Sequence, residues 1–282
     1  MTFSIVTAAM SGLPGLSGLP SSRIRSPPAG RPPGRSGHAV EVSGLTQRFG
    51  SVVAVDQLTL TVPYGMFYGI AGPNGAGKTT TLTAVCGLRE PTAGTIRIAG
   101  HDLRTEREAA LSQLGVMMDG LSMPERLTAA EALRYTAGLR GLDDGWRVRA
   151  ADLLEILGLD TVPRTLIAEF STGMRKKINL ALAMLHRPRV LVLDEPFEAI
   201  DPVSARSIEL LLKQYVAAGG TVILSSHIMD FIERNCRRVA IVAGGRLLAE
   251  GPTAELTAGT TLNDRFVELV GADPVRELDW LA

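Results

Sequence analysis

The chain has 282 residues, 45% of them apolar and 21% charged, with 29 basic and 29 acidic side chains. That is the composition of a globular protein with room for one large domain, or a domain and a subdomain, and a formal net charge of zero gives no global electrostatic case for a nucleic-acid partner. No run of eighteen apolar residues occurs, so no segment is expected to span a bilayer.

Residues 1–37 are rich in Pro, Gly, Ser and Arg and hold no acidic residue. Such a stretch buries little apolar surface and is expected to be a disordered tail. Phe3–Met10 is weakly apolar but lacks the basic flank of a secretory signal. The globular part, placed at 38–258, opens with two expected strands, Ala39–Gln47 and Val52–Val62. Within the second, Leu58–Val62 alternates apolar and polar residues, the mark of a half-buried sheet.

The apolar segment Phe67–Ala71 reads as a buried strand and runs into Gly72-Pro73-Asn74-Gly75-Ala76-Gly77-Lys78-Thr79-Thr80. This run fits G-x-x-x-x-G-K-[ST], the P-loop, and Thr81–Leu88 supplies the helix that the motif requires after it. Glycines let backbone N–H groups turn inward around phosphate oxygens, and a helix N-terminus adds positive potential. Lys78 is expected to reach the β- and γ-phosphates of a nucleoside triphosphate, and Thr79 to hold Mg²⁺ through its hydroxyl. The motif leaves open which class of nucleotide-using protein this is.

Pro91–Gly94 is a turn, followed by the alternating segment Thr95–Ala99, so the first part holds a mainly antiparallel sheet around the P-loop unit. From about 120 to 170 the pattern becomes helical. Thr128-Ala129-Ala130-Glu131 fits a capping box, and Arg147–Leu157 is a second helix ending at Gly158. A third, Met174–His186, carries an apolar stripe. Val190–Leu193 is a short continuous apolar run, as in a strand covered on both faces. It leads into Asp194-Glu195-Pro196, where Asp194 is expected to bind Mg²⁺ and Glu195 to orient or deprotonate an attacking water. Asp201-Pro202 is an N-cap with Pro at the first helical position, opening a helix through Ala217. Thr221–Leu224 is another buried strand, and Val239–Val242 with Arg246–Ala249 forms a hairpin. Residues 259–282 are expected to be a short extension with one helix, Leu262–Val270. Cys86 and Cys236 lack metal-ligand spacing and read as reduced, packed thiols of a cytosolic protein.

Across roughly residues 40–258 this set of motifs resembles the ATP-binding subunits of ABC transporters. Besides the P-loop and the Asp194-Glu195 pair, the resemblance is carried by Phe170-Ser171-Thr172-Gly173-Met174-Arg175, which is similar to the family's signature, usually Leu-Ser-Gly-Gly-Gln. The resemblance implies an α/β fold: a P-loop NTPase core with an antiparallel β-subdomain and an α-helical insert. It implies that Ser171, Thr172 and Gly173 meet the γ-phosphate of ATP held by the opposite subunit, although Ser171 also serves as a plain helix cap. It implies that Asp201 is the D-loop aspartate, that His227 in Leu224-Ser225-Ser226-His227 is the switch histidine touching the γ-phosphate, and that Phe49 stacks on adenine.

Two departures stand out. Asp119 occupies the Q-loop position, where glutamine is usual, and is expected to meet Mg²⁺ or water with a shorter reach; Thr172 and Met174 replace the usual glycine and glutamine. Within the family, these variants resemble exporter-type subunits encoded with a separate membrane protein, including the daunorubicin-exporter and sodium-exporter types. The implied protein hydrolyses ATP with Mg²⁺ as a homodimer, or as a heterodimer with another ABC ATPase. It would be a cytoplasmic subunit, peripheral on the cell membrane, powering a separate transmembrane permease without nucleic acid. The rival readings are a soluble ABC ATPase of cluster assembly or the ribosome, and a catalytically weak regulatory subunit.

Overall fold

The computed structural model describes residues 37–118, 120–121 and 124–271. The expectations for residues 1–36, for Asp119 and for 272–282 lie outside the described residues. The described residues divide into two compact units, one containing 37–118, 189–198 and 212–271, the other containing 120–121, 124–188 and 199–211.

The first unit holds two sheets. In one, β1 (His38–Phe49), β2 (Val52–Pro63), β4 (Ala93–Ile98) and β5 (His101–Asp102) lie in the order β2-β1-β4-β5, all pairs antiparallel. The β1–β2 hairpin sets Val40 against Val62 and Phe49 against Val52. In the other, β3 (Phe67–Ala71), β6 (Leu114–Met117), β7 (Val190–Asp194), β8 (Thr221–Ser226), β9 (Arg238–Ala243) and β10 (Arg246–Pro252) take the order β10-β9-β3-β8-β7-β6. Strands β6, β7, β8, β3 and β9 run parallel, and β10 closes the edge antiparallel to β9. Every residue of β3, β7 and β8 is buried. That is why these segments read as continuous apolar runs rather than alternating ones: a parallel strand covered on both faces has no solvent side.

Helices α1 (Lys78–Val85) and α2 (Arg107–Ser112) follow β3 and β5. α1 begins inside the P-loop motif, at Lys78, three residues before the helix expected from Thr81. The reason is Gly77, whose φ of 99° serves as the left-handed entry to the helix. Buried Tyr68 on β3 donates its hydroxyl to Glu250 Oε1 on β10 at 2.8 Å. Burial and the Glu250 charge push the Tyr68 phenol far up, so this hydroxyl stays a donor.

The second unit is helical: α3 (Ala129–Leu139), α4 (Trp146–Ile156), α5 (Thr172–Met184) and the first part of α6 (Pro202–Ala217). The capping box at α3 is formed in both directions. Thr128 Oγ1 accepts from the Glu131 N–H, and Glu131 Oε2 accepts from the Thr128 N–H at 2.9 Å. After α6 the chain adds α7 (Met229–Asn235), α8 (Thr253–Leu256) and α9 (Leu262–Val270). No helix of the described residues is long and apolar enough to cross a membrane.

Candidate active site

Strand β3 ends at Ala71 and delivers the chain into the P-loop. Gly72 has no room for a side chain: a Cβ there would stand 2.2 Å from the Val242 carbonyl oxygen of β9. Gly77 is confined in the same way, with a Cβ position 2.7 Å from the Ala54 carbonyl oxygen of β2 and a left-handed backbone. Backbone bonds clamp the loop to its neighbours. The Gly245 N–H donates to Ala76 O at 3.0 Å, and the Asp56 N–H donates to Gly245 O at 2.8 Å. The loop is therefore tied to the β9–β10 turn, and that turn is itself tied to β2.

Pro73, Asn74, Gly75 and Thr79 are exposed, Gly77 and Thr80 half-buried, and Ala76 buried. Lys78 is buried, and its ammonium donates to the Gly72 and Pro73 carbonyls at 2.7 and 3.2 Å. The same Nζ lies 3.6 Å from Glu195 Oε1.

Strand β7 carries Asp194, 4% exposed, to its C-terminal end, and the β7–β8 register sets it opposite Ser225. Glu195 follows with φ of 43°, the left-handed region that a side-chain-bearing residue rarely enters. Its carboxylate faces Lys78 with one oxygen and His227 with the other. His227 Nδ1 lies 3.0 Å from Glu195 Oε2. Lys78, Asp194, Glu195 and His227 are thus gathered at the ends of β3, β7 and β8. Ligands of parallel α/β sheets bind at that edge, outside the carboxyl ends of the strands.

Ser225 belongs to this cluster and was missed from the sequence. Its hydroxyl donates to Asp194 Oδ1 and accepts the Glu195 N–H at 3.0 Å. The signal was present: two serines end an otherwise apolar buried strand just before His227. Cys86 packs nearby, its thiol pushed up by burial and then by the Asp194 charge; burial pushes the Cys236 thiol up to about 12. Both remain protonated and inert.

Phe49 ends β1 as an exposed residue, 42% accessible. The Arg89 guanidinium carbon stands 4.7 Å from the ring centroid, a cation–π contact.

The helical unit holds a second cluster. Ser171 caps α5, its Oγ accepting the Met174 N–H at 3.3 Å. Ser171, Thr172 and Gly173 share the lining of a cleft of about 440 Å³ with Met174, Lys177, Ala199 and Asp201. A Cβ at Gly173 would lie 3.3 Å from the Ala199 carbonyl oxygen. Asp201 Oδ1 accepts the N–H groups of Val203 and Ser204 at 3.1 and 2.9 Å, capping α6. Hydrogen bonds from Ser204, with Lys177 nearby, hold the Asp201 carboxyl below the usual aspartate range. A cleft bounded by a helix N-terminus and lysine suits an anion.

The profile of the ABC transporter family matches residues 55–198. The chain is 37% identical over 228 residues to the daunorubicin/doxorubicin resistance ATP-binding protein DrrA of Streptomyces peucetius, covering 80% of this chain and 68% of that protein. It is 34% identical to the Nod factor export ATP-binding protein I of Paraburkholderia xenovorans, covering 86% and 80%. A solved structure described as the ATP-binding subunit of an ABC transporter superposes with a TM-score of 0.78 at 30% identity, over 82% of this chain and 99% of that one. A dimeric ATP-binding cassette, MJ0796 in a post-hydrolysis state with ADP and phosphate, shares the fold at a TM-score of 0.69 and 23% identity, over 76% and 98%.

Proposed function

The chain belongs to the ABC transporter family of ATP-binding, ATP-hydrolysing proteins, and from that premise we propose that two copies close head to tail around two ATP molecules to drive export through a separate membrane permease. The observation that carries the hydrolytic part is the position of Glu195, between Lys78 at 3.6 Å and His227 at 3.0 Å. The export part is supported by the relatives, which are named for drug resistance and Nod factor export.

In this reading residues 38–258 are the ATP-binding domain. Phe49 stacks on adenine, and the backbone of 72–80 cradles the phosphates. Lys78 exchanges its carbonyl partners in the loop for β- and γ-phosphate oxygens, so that an ionised donor meets an ionised acceptor. The Thr79 hydroxyl and Asp194 carboxylate fit Mg²⁺: both are hard oxygen donors, and Mg²⁺ at nucleotide sites takes one or two carboxylates plus phosphates. Asp119 is the third proposed contact. Bound Mg²⁺ neutralises charge on the phosphates.

Glu195 accepts the proton of a water whose oxygen attacks the γ-phosphorus, while the bond to the β–γ bridging oxygen breaks and ADP leaves. His227 holds the Glu195 carboxylate through Nδ1 and touches the γ-phosphate. The partner copy offers Ser171, Thr172 and Gly173 at its α5 N-terminus, and Asp201 crosses the dimer beside them. The signature cleft of one copy thereby completes the phosphate site of the other.

The test is purification from native membranes with and without ATP. Recovery of Mg²⁺-dependent ATPase activity together with a multi-spanning membrane protein is the expected result. Recovery with ribosomes or soluble assembly factors alone would replace transport with the corresponding soluble role.

A further inference from the structure

One buried hydroxyl touches both acidic residues at the C-terminal end of β7. Ser225 is 0% exposed and sits directly across the parallel β7–β8 pair from Asp194. Its proton goes to Asp194 Oδ1, and its lone pair receives the Glu195 N–H. A serine hydroxyl offers one donor and two acceptor sites, so the two bonds do not compete. They reinforce each other, because the Asp194 charge polarises the O–H and makes the oxygen a better acceptor.

The second bond falls at a demanding place. Glu195 has φ of 43° with a full side chain, a backbone state that persists only when its surroundings hold it. The strand ladder of β7 ends at Asp194, and the next amide is satisfied by Ser225 rather than by another strand residue. Ser226, its neighbour, makes a different bond, accepting the Ile228 N–H at 3.0 Å at the start of the next turn.

We infer that Ser225 is a positioning residue for ATP hydrolysis, its single hydroxyl holding the Asp194 carboxylate and the Glu195 backbone in one fixed relation. The inference rests on the reading of Glu195 as the base. Without the hydroxyl, the Glu195 amide loses its partner, the backbone relaxes, and the carboxylate moves off the line to the attacking water. Misplacement on the order of 1 Å costs up to about a hundredfold in rate. Nucleotide binding is carried by the P-loop and is left intact.

The experiment compares Ser225→Ala and the isosteric pair Ser225→Thr and Ser225→Val, alone and in a Glu195→Gln background. S225A is expected to lower kcat by about tenfold or more, with KM for ATP and Mg²⁺-free binding of a fluorescent ATP analogue changed less than about twofold. S225T retains the hydroxyl and should keep most of the turnover that S225V loses; if S225A fails to fold, this pair carries the comparison. In the E195Q background, adding S225A should cost clearly less turnover than it does in wild type, since the base held through the residue-195 amide is gone and only the Asp194 contact is still lost. Hydrogen exchange at the Glu195 amide, followed by NMR in nucleotide-free protein, should quicken by about tenfold or more in the variants lacking the hydroxyl and stay near wild type in S225T. Wild-type kcat in S225A, equal losses in S225T and S225V, or an unchanged Glu195 amide would each overturn the inference. If E195Q itself hydrolyses ATP at the wild-type rate, the base assignment falls by itself, and the exchange measurement still decides whether Ser225 holds the Glu195 backbone.

Discussion

The Lys78 ammonium lies 3.6 Å from Glu195 Oε1, joining the P-loop to the turn after β7 by an ion pair whose side chains are 6% and 16% exposed. The two residues are more than a hundred positions apart in sequence, and each has a second anchor: loop carbonyls for Lys78, His227 for Glu195. The two charges to which the proposed mechanism gives phosphate binding and proton transfer are therefore set against each other by the fold itself.

Glu195→Gln keeps the size of the side chain and removes its basicity. Turnover is expected to fall by about 10²–10⁴-fold while ATP binding persists. Steady-state ATPase assays and equilibrium binding check both halves; wild-type turnover would sink the assignment.

In the proposed dimer, Lys78→Ala would damage the phosphate site of its own chain, whereas Ser171→Arg would place a bulky charge in the cleft proposed to serve the partner's ATP. Mixing the two variants gives heterodimers in which one composite site carries both lesions and the other neither. Partial ATPase activity should reappear, given a control showing that one intact site turns over. No recovery from verified heterodimers would mean that each chain uses its own Ser171.

Phe49→Ala should raise the Kd for ATP by about tenfold with kcat largely kept, because base stacking on an aromatic ring is worth roughly 1–3 kcal/mol. Phe49→Tyr should bind normally. An unchanged Kd in Phe49→Ala would show that adenine is held elsewhere.

Thr128→Ala removes the N-cap oxygen of α3 and leaves the Glu131 N–H without its partner. A cost of about 1 kcal/mol is expected, or a Tm lower by about 2–4 °C for a chain of this size. Calorimetry decides it; an unchanged Tm would show that the cap contributes nothing.

Asp201 is held below its ordinary pKa by Ser204, so its carboxylate stabilises the α6 cap above the unfolded-state pKa, and this contribution is lost as pH falls through the folded-state value. The difference in denaturation midpoint between wild type and Asp201→Ala should be full at neutral pH and shrink as pH falls below the ordinary aspartate range. A constant difference across that range would assign the effect to something other than the charge.

Much of this protein was legible in its sequence where the determining interaction is local. The P-loop residues 72–80, the capping box at Thr128 and Glu131, the Asp201 cap and the apolar run before Asp194 each depend on neighbours within a few positions, so spacing alone exposes them. The short helices Arg107–Ser112 and Met229–Asn235 escaped because so few turns give too little periodicity to read. The strand order β10-β9-β3-β8-β7-β6 and the parallel register that sets Ser225 against Asp194 follow from which apolar strands bury one another, a choice that no single strand encodes. The Arg89 guanidinium over Phe49 and the Lys78–Glu195 pair belong to the same class. Sequence determined which chemical groups this chain possesses and where the helices capped by Thr128 and Asp201 begin; the packing of the sheet alone decided which of those groups meet, because contact between distant residues is a property of strand register rather than of spacing along the chain.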